Sequence, residues 1–362
     1  MNKFIIIYQN INMKKKFKYL IPILILCIIS VLSICFSKNT INNYEDYLIK
    51  QILFIIIGFI ILYIIYKMNI NRIYKYSFLL YILSVVMLVY VLFFGRVING
   101  SRSWINIFGI SIQPSEFVKV TILLCLDKYI HSKYGFIKSL LIVLIPSILT
   151  FLQPDTGTVL FYLIMFFSIF ISMGLNKKYY IGLFSILIVL VTGYFYLYFF
   201  QGELFLKIFG TSFFYRTDRI INFMNSEGFQ INSALLGIGN GGLFGNLDKF
   251  IIYIPEVITD FMFANILTMF GFVGGIIVII LFIIIDRELI KDIFSIKKYK
   301  FFVVGLFGVF LYQQIQHIFM NIGLLPITGI TLPFLSYGGS SLLSYFILFG
   351  ILFNLKKYQI DT

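Results

Sequence analysis

Apolar runs of about 20 residues, the length that crosses a bilayer as a helix, recur from one end of this chain to the other. Ten can be drawn: 19–36, 51–68, 75–95, 115–132, 137–153, 157–174, 179–200, 260–285, 301–322 and 337–355. Such a chain has few ways to fold. In hydrocarbon every backbone N–H and C=O must be satisfied inside the protein, which leaves helices or a closed barrel, and runs of this length are helical. Composition agrees, since 60% of the 362 residues are hydrophobic and 12% charged, too apolar for a soluble domain to bury. The expected fold is all-α: one polytopic integral membrane domain, about ten transmembrane helices, and a large extracytoplasmic loop over 201–259.

Basic residues orient such a bundle. Six alternating segments carry Lys3, Lys14, Lys15, Lys16 and Lys18; Lys67, Arg72 and Lys75; Lys128, Lys133 and Lys138; Lys177 and Lys178; Arg287, Lys291, Lys297, Lys298 and Lys300; and Lys356 and Lys357. They hold 20 of the 29 Lys and Arg, while the opposite side holds 10 of the 15 acidic residues. That asymmetry places both termini in the cytoplasm of a multi-pass protein of the cell membrane. It also accounts for the net charge of +14 without nucleic acid as a partner. The three cysteines show no metal spacing, two histidines are too few for a metal site, and the first span reads as a retained anchor.

With orientation set, the unusual polar residues gather on the outer face. Gly100-Ser-Arg-Ser-Trp104 begins a loop with the chain's only Trp, and Gln113-Pro-Ser-Glu116 then opens a helix, with Lys119 placed to pair with Glu116 at i+3. The plainer reading is an interfacial Trp anchor and a local ion pair. Gln153-Pro-Asp-Thr-Gly157 is a second break, or simply a turn with an Asp cap. The 201–259 loop carries Arg216-Thr-Asp-Arg219, two guanidinium groups able to grip phosphate, and the glycine-rich Gly237–Gly245 run, whose backbone could approach a ligand closely. Tyr253-Ile-Pro-Glu-Val-Ile-Thr-Asp260 leads into the eighth span. A carboxylate deep in a bilayer costs about 2.5–3.5 kcal/mol, so Asp260, one turn after Glu256, is a functional candidate; its plainer role is an N-cap, shared with Thr259. Last comes Pro326-Ile-Thr-Gly-Ile-Thr-Leu-Pro-Phe-Leu-Ser-Tyr-Gly-Gly-Ser-Ser341. Two prolines, three glycines and three serines cannot continue a membrane helix, and such backbone survives only buried in protein or lining a wet cavity.

Taken in order, these pieces resemble the SEDS family, the shape, elongation, division and sporulation proteins that include RodA, FtsW and SpoVE. The matching pieces are Arg102-Ser-Trp104, Gln113-Pro-Ser-Glu116 with Lys119, Gln153-Pro-Asp-Thr-Gly157, Arg219-Ile, Gly241-Gly-Leu-Phe-Gly245, Pro255-Glu256, Thr259-Asp-Phe261, and Gly323-Leu-Leu-Pro-Ile-Thr-Gly329 running into Leu332–Ser341. The resemblance implies a peptidoglycan glycosyltransferase that polymerises lipid II beside a class B penicillin-binding protein. By position, Asp260 matches the family's essential aspartate, Trp104 a sensitive Trp, and Glu116 and Lys119 polar residues lining the outer cavity. The departures are Ile258 in place of a His, Thr268 and Met269 in place of a Glu pair, a short stretch between Gly245 and Pro255, and His317 in place of an Asn.

The chemistry suits the residues. An α-linked diphosphate donor and a β-linked product need one inverting displacement, one base, and cations on the leaving group, without a general acid. Asp260 is the expected base. Arg102, Arg216, Arg219 and Lys119 are the available cations, and Glu256, Ser336 and Ser340 complete the expected substrate surface with Trp104 and Glu116. A divalent cation could share the leaving-group role, but no acidic cluster specifies one, and no other cofactor is implied. Two rivals stand beside this reading: a lipid II flippase, against which there is no inverted repeat and no midplane polar site, and a non-catalytic scaffold for the penicillin-binding protein, which Thr268 and Met269 would suit.

Overall fold

The computed structural model describes residues 2–39, 43–98, 101–107, 110–174, 177–211, 213–214, 217, 221, 228–246 and 253–361. Each expected span coincides with a helix: α1 (Asn2–Phe36), α2 (Tyr44–Lys67), α3 (Ile70–Phe94), α4 (Pro114–Tyr129), α5 (Gly135–Leu152), α6 (Thr156–Ser172), α7 (Lys177–Phe200), α10 (Met262–Ser295), α11 (Lys300–Asn321) and α12 (Gly339–Asp361). Eight of these, among the described residues, are long and apolar enough to cross a membrane. The other two are α6, apolar but 17 residues long, and α4, with 16. The chain is a multi-pass helical membrane protein.

Three details depart from the expected layout. The first polar loop is a small antiparallel sheet, β1 (Arg96–Ile98), β2 (Ser101–Ile107) and β3 (Ile110–Ile112) in the order β1-β2-β3. Alternation in Ser101-Arg-Ser-Trp-Ile-Asn-Ile107 suits a strand with one covered face; Ser103 is buried while Arg102 is exposed. Among the described residues of 201–259 lie two helices with defined bounds, α8 (Gly202–Phe209) and α9 (Phe229–Gly241). The eighth span is also more than one helix. Gly271 interrupts α10 with φ 69° and ψ −170°, and a Cβ at Gly275 would sit 3.5 Å from the tip of the Phe263 ring. In a straight helix those positions are about 18 Å apart. So α10 folds back: a short arm, 262–270, turns at Gly271 into a long arm, 272–295.

Helix α12 packs along α2 and α4, α3 along α4, α6 along α11, and α1 and α9 along α10. At the end bearing the basic runs, acids on the long arm meet cations from α1 and α12. Asp292 accepts from the Tyr19 hydroxyl at 2.7 Å and pairs with Lys356 at 2.8 Å; Glu288 pairs with Lys291 at 2.5 Å. Asp127 of α4 caps α11, accepting from the Phe302 N–H at 3.0 Å. At the centre sits Phe334, which belongs to the broken segment before α12. It is buried at φ 63°, a strained backbone for a bulky residue, and its ring packs 5.4 Å from both Phe346 and Phe349. Those aromatic contacts hold the irregular segment in the core.

Candidate functional site

The segment between α11 and α12 contains the two prolines that break the helix, and its freed carbonyls need partners. One face of α11 supplies them. Gln316 donates to the Pro326 carbonyl and to Thr328 Oγ1, each at 3.2 Å. His317 meets the Ile330 carbonyl at 2.7 Å, and Gln313 donates to the Thr331 carbonyl at 3.2 Å. The irregular backbone is thus satisfied by protein, as membrane depth requires. Sequence reasoning passed over Gln313, Gln316 and Asn321 and left His317 without a role. The signal was present: four polar residues at helical spacing on one face of an apolar span.

Asp260 lies two residues before the short arm, whose residues 262–270 span roughly 13 Å at 1.5 Å per residue. Its turn is fixed from three directions. The Asp260 N–H donates to the Glu256 carbonyl at 3.1 Å, Asn321 donates to the Asp260 carbonyl at 2.9 Å, and Ser336 donates to the Thr259 carbonyl at 2.7 Å. Part of the expected capping comes from another helix, and Thr259 is not its source. Helix α10 starts at Met262, and its first-turn N–H groups are taken by α11: Ala264 donates to Asn321 at 2.8 Å and Phe263 to His317 at 3.4 Å. The Thr259 hydroxyl instead donates to Glu256 Oε2 at 3.1 Å. Opposite the carboxylate is Gly329, at φ 68°, where a Cβ would lie 3.5 Å from Asp260 Oδ2. An added Cβ would meet the carboxylate only at ordinary contact distance, so what the position requires of its glycine is the left-handed turn. Asp260 is half-buried and Glu256 exposed.

The N-terminal end of α4 is the second part. Pro114 and Glu116 occupy its first turn. The Glu116 carboxylate pairs with Lys119 at 2.6 Å and accepts from Ser344 of α12 at 2.9 Å. Lys119 has no exposed side-chain surface; its ammonium lies 4.2 Å from the Tyr345 ring centroid, and the Tyr345 hydroxyl donates to Gln313. The pair is the local ion pair of the plainer reading and also joins α4 to α12 inside the bundle, with Lys119 enclosed although it was expected to line the outer cavity. Ser340 accepts from the Gln113 N–H at 2.9 Å, and Gln113 donates to Asp155 at 2.8 Å. Asp155 also caps α6 through the Thr158 N–H, so that break is an Asp-capped turn that in addition anchors α4. Ser336 bonds toward the Asp260 turn and Ser340 toward α4. Trp104 is half-buried on β2, and exposed Arg102 reaches the Leu92 carbonyl at 3.5 Å. Arg216 and Arg219 lie outside the described residues.

The glycine-rich run meets protein backbone. A Cβ at Gly241 would collide with the Leu267 carbonyl, and one at Gly245 with that of Met269. Beyond the turn, the Phe272 and Val273 N–H groups donate to the Gly242 and Leu243 carbonyls at 2.9 and 3.1 Å. The run thus supplies the hydrogen bonds that the break at Gly271 removes from the helix. Thr268 is buried, its hydroxyl donating to the Ala264 carbonyl at 2.8 Å. Among the described residues, no three His, Cys, Asp or Glu side chains converge as a metal site.

Comparison with known proteins places this geometry. Residues 13–360 match the FtsW, RodA and SpoVE cell cycle protein pattern. The chain is 32% identical over 365 residues to a probable peptidoglycan glycosyltransferase FtsW of Wigglesworthia glossinidia brevipalpis, covering 92% of this chain and 91% of that one. It is 34% identical over 343 residues to stage V sporulation protein E of Bacillus subtilis, covering 86% and 87%. It is 30% identical over 365 residues to the peptidoglycan glycosyltransferase MrdB of Helicobacter pylori, covering 95% and 89%. Its fold resembles the rod shape determining protein RodA of Thermus thermophilus (TM-score 0.69, 22% identity, 95% and 97% covered). It also resembles a chain from a study of polymerization and crosslinking by a peptidoglycan synthase complex (TM-score 0.76, 23% identity, 94% and 98% covered).

Proposed function

The chain belongs to the FtsW, RodA and SpoVE family of cell cycle proteins, and we propose that it is a peptidoglycan glycosyltransferase that polymerises lipid II for cell wall synthesis. The reading sets both termini in the cytoplasm and the Asp260 end of the bundle outside. In the reaction, the acceptor sugar's 4-hydroxyl attacks the donor's anomeric carbon, and the bond from that carbon to the diphosphate oxygen breaks with inversion. Asp260 takes the hydroxyl proton as general base; the diphosphate leaves with the bonding electron pair and needs no general acid. Arg102, Arg216 and Arg219 are assigned to the diphosphate charge. Enclosed Lys119, with Glu116, shapes the site from behind, while Trp104, Glu256, Ser336 and Ser340 form its walls.

The observation that carries this reading is the setting of Asp260. Three hydrogen bonds fix its turn, two first-turn N–H groups of the helix are bonded by α11, and a glycine faces its carboxylate. A positioned base needs that preorganisation, whereas a structural cap does not. A class B penicillin-binding protein is the proposed partner. The test is purified full-length protein in liposomes with labelled lipid II, with and without that partner. Glycan polymer that rises on adding the partner is expected; lipid II translocation without polymer would indicate a flippase, and neither product a scaffold.

A further inference from the structure

We propose that His317 is a positioning residue that sets the distance between the Asp260 carboxylate and the segment opposite it; this rests on Asp260 being the base. His317 is wholly buried in α11, and each ring nitrogen meets a different backbone element. Nδ1 faces the Ile330 carbonyl at 2.7 Å, and a carbonyl only accepts, so Nδ1 carries the proton. Nε2 faces the Phe263 N–H at 3.4 Å, which only donates, so Nε2 is the lone pair. The ring is therefore the neutral Nδ1–H tautomer, bridging one residue after Gly329 to three residues after Asp260.

Gly329 and Asp260 are the two sides of the site, a Cβ at one lying 3.5 Å from Oδ2 of the other. One rigid ring thus ties both walls to α11. Asn321, a turn further on, repeats the tie on the Asp260 side alone, through the Ala264 N–H and the Asp260 carbonyl. His317 therefore couples the two walls through α11, beside the direct bonds from Ser336 to the Thr259 carbonyl and from the Tyr337 N–H to the Ile258 carbonyl. An asparagine at this position is shorter: its amide N–H superposes on Nδ1 and leaves Phe263 without its acceptor. The two-sided tie belongs to histidine.

The test compares His317→Phe, which keeps the ring and removes both bonds, with His317→Gln, whose amide oxygen takes the place of Nε2. Each is reconstituted with its partner and assayed beside wild type and Asp260→Asn. A misplaced reacting group loses up to about 100-fold, so His317→Phe is expected to lower kcat by roughly 10–100-fold with KM within about twofold. His317→Gln restores the Phe263 side and leaves the Ile330 carbonyl without its donor, so it is expected to recover only part of that loss. A second readout needs no activity: the rate of oxidant-driven disulfide formation between cysteines at positions 260 and 329, in a Cys35→Ser background. It is expected to fall in His317→Phe and to recover in part in His317→Gln. Wild-type kcat and cross-linking in His317→Phe would overturn the proposal, as would a His317→Gln no better than Phe in both readouts. If Asp260→Asn polymerised normally, the base assignment would fail, and cross-linking alone would still decide whether His317 sets the spacing.

Discussion

The Glu116–Lys119 pair offers a sharp energetic test of the bundle. Lys119 has 0% side-chain exposure and Glu116 5%, at 2.6 Å, so water screens neither charge. Removing one partner of such a pair leaves an uncompensated buried charge, worth about 3–5 kcal/mol. Replacing both with neutral groups of similar shape costs far less, because the desolvation penalty disappears with the charges. Lys119→Met and Glu116→Gln are each expected to destabilise by roughly 3–5 kcal/mol, and the double variant to lie within about 2 kcal/mol of wild type. Gln at 116 keeps an acceptor for Ser344, and Met fills the Lys stem, so volume hardly changes. The assay is reversible unfolding in mixed micelles, read as a double-mutant cycle. Additive losses, with no coupling, would refute the claim that the two charges neutralise each other inside the bundle. Small losses in both single variants would refute it too.

Gly271→Ala puts a Cβ at positive φ, about 1–2 kcal/mol unfavourable for an L-residue, and against the Leu243 carbonyl and Gly245 N–H. It should lower unfolding stability by more than that strain alone. Gly182→Ala on α7, where a Cβ meets nothing within 4 Å, should be neutral or gain up to about 1 kcal/mol; equal effects would remove the argument for a clipped break at Gly271. For topology, a cysteine at Asn246 should react with an impermeant thiol reagent in intact cells, and one at Asn176 only after lysis. Labelling of position 176 in intact cells would reverse the orientation and move the proposed site to the wrong side.

The sequence made the helical spans legible because membrane length and hydropathy are summed properties that no tertiary contact can hide. It also located the broken segment, since prolines and glycines cannot continue a buried helix. The fold-back at Gly271 stayed hidden: Phe-Gly-Phe-Val-Gly-Gly is apolar throughout, and hydropathy does not see backbone direction. The Gly241–Gly245 run read as ligand-binding chemistry because glycine reports close approach but not what approaches, and here that is the carbonyls of 267 and 269. For Thr259 and Asp260 the plainer reading was a cap, and local pattern cannot foresee the capping bonds that another helix delivers through His317 and Asn321. Lys119 read correctly as a partner for Glu116, yet its enclosure depends on Tyr345, more than two hundred residues away.

The central claim is that the Asp260 carboxylate accepts the acceptor sugar's proton. Asp260→Asn keeps the size of the side chain, and the backbone bonds from Asn321 and to Glu256 do not involve the group it changes. The variant should therefore insert, fold and bind the partner like wild type. A positioned acid–base group contributes about 10²–10⁴-fold. The measurement is the initial rate of glycan polymer formation from labelled lipid II by the reconstituted complex, normalised to folded protein. The account predicts a rate below a few per cent of wild type, on the order of the lower end of that range. Polymerisation by Asp260→Asn at a near wild-type rate would contradict it and pass the role of base to Glu256 or Glu116.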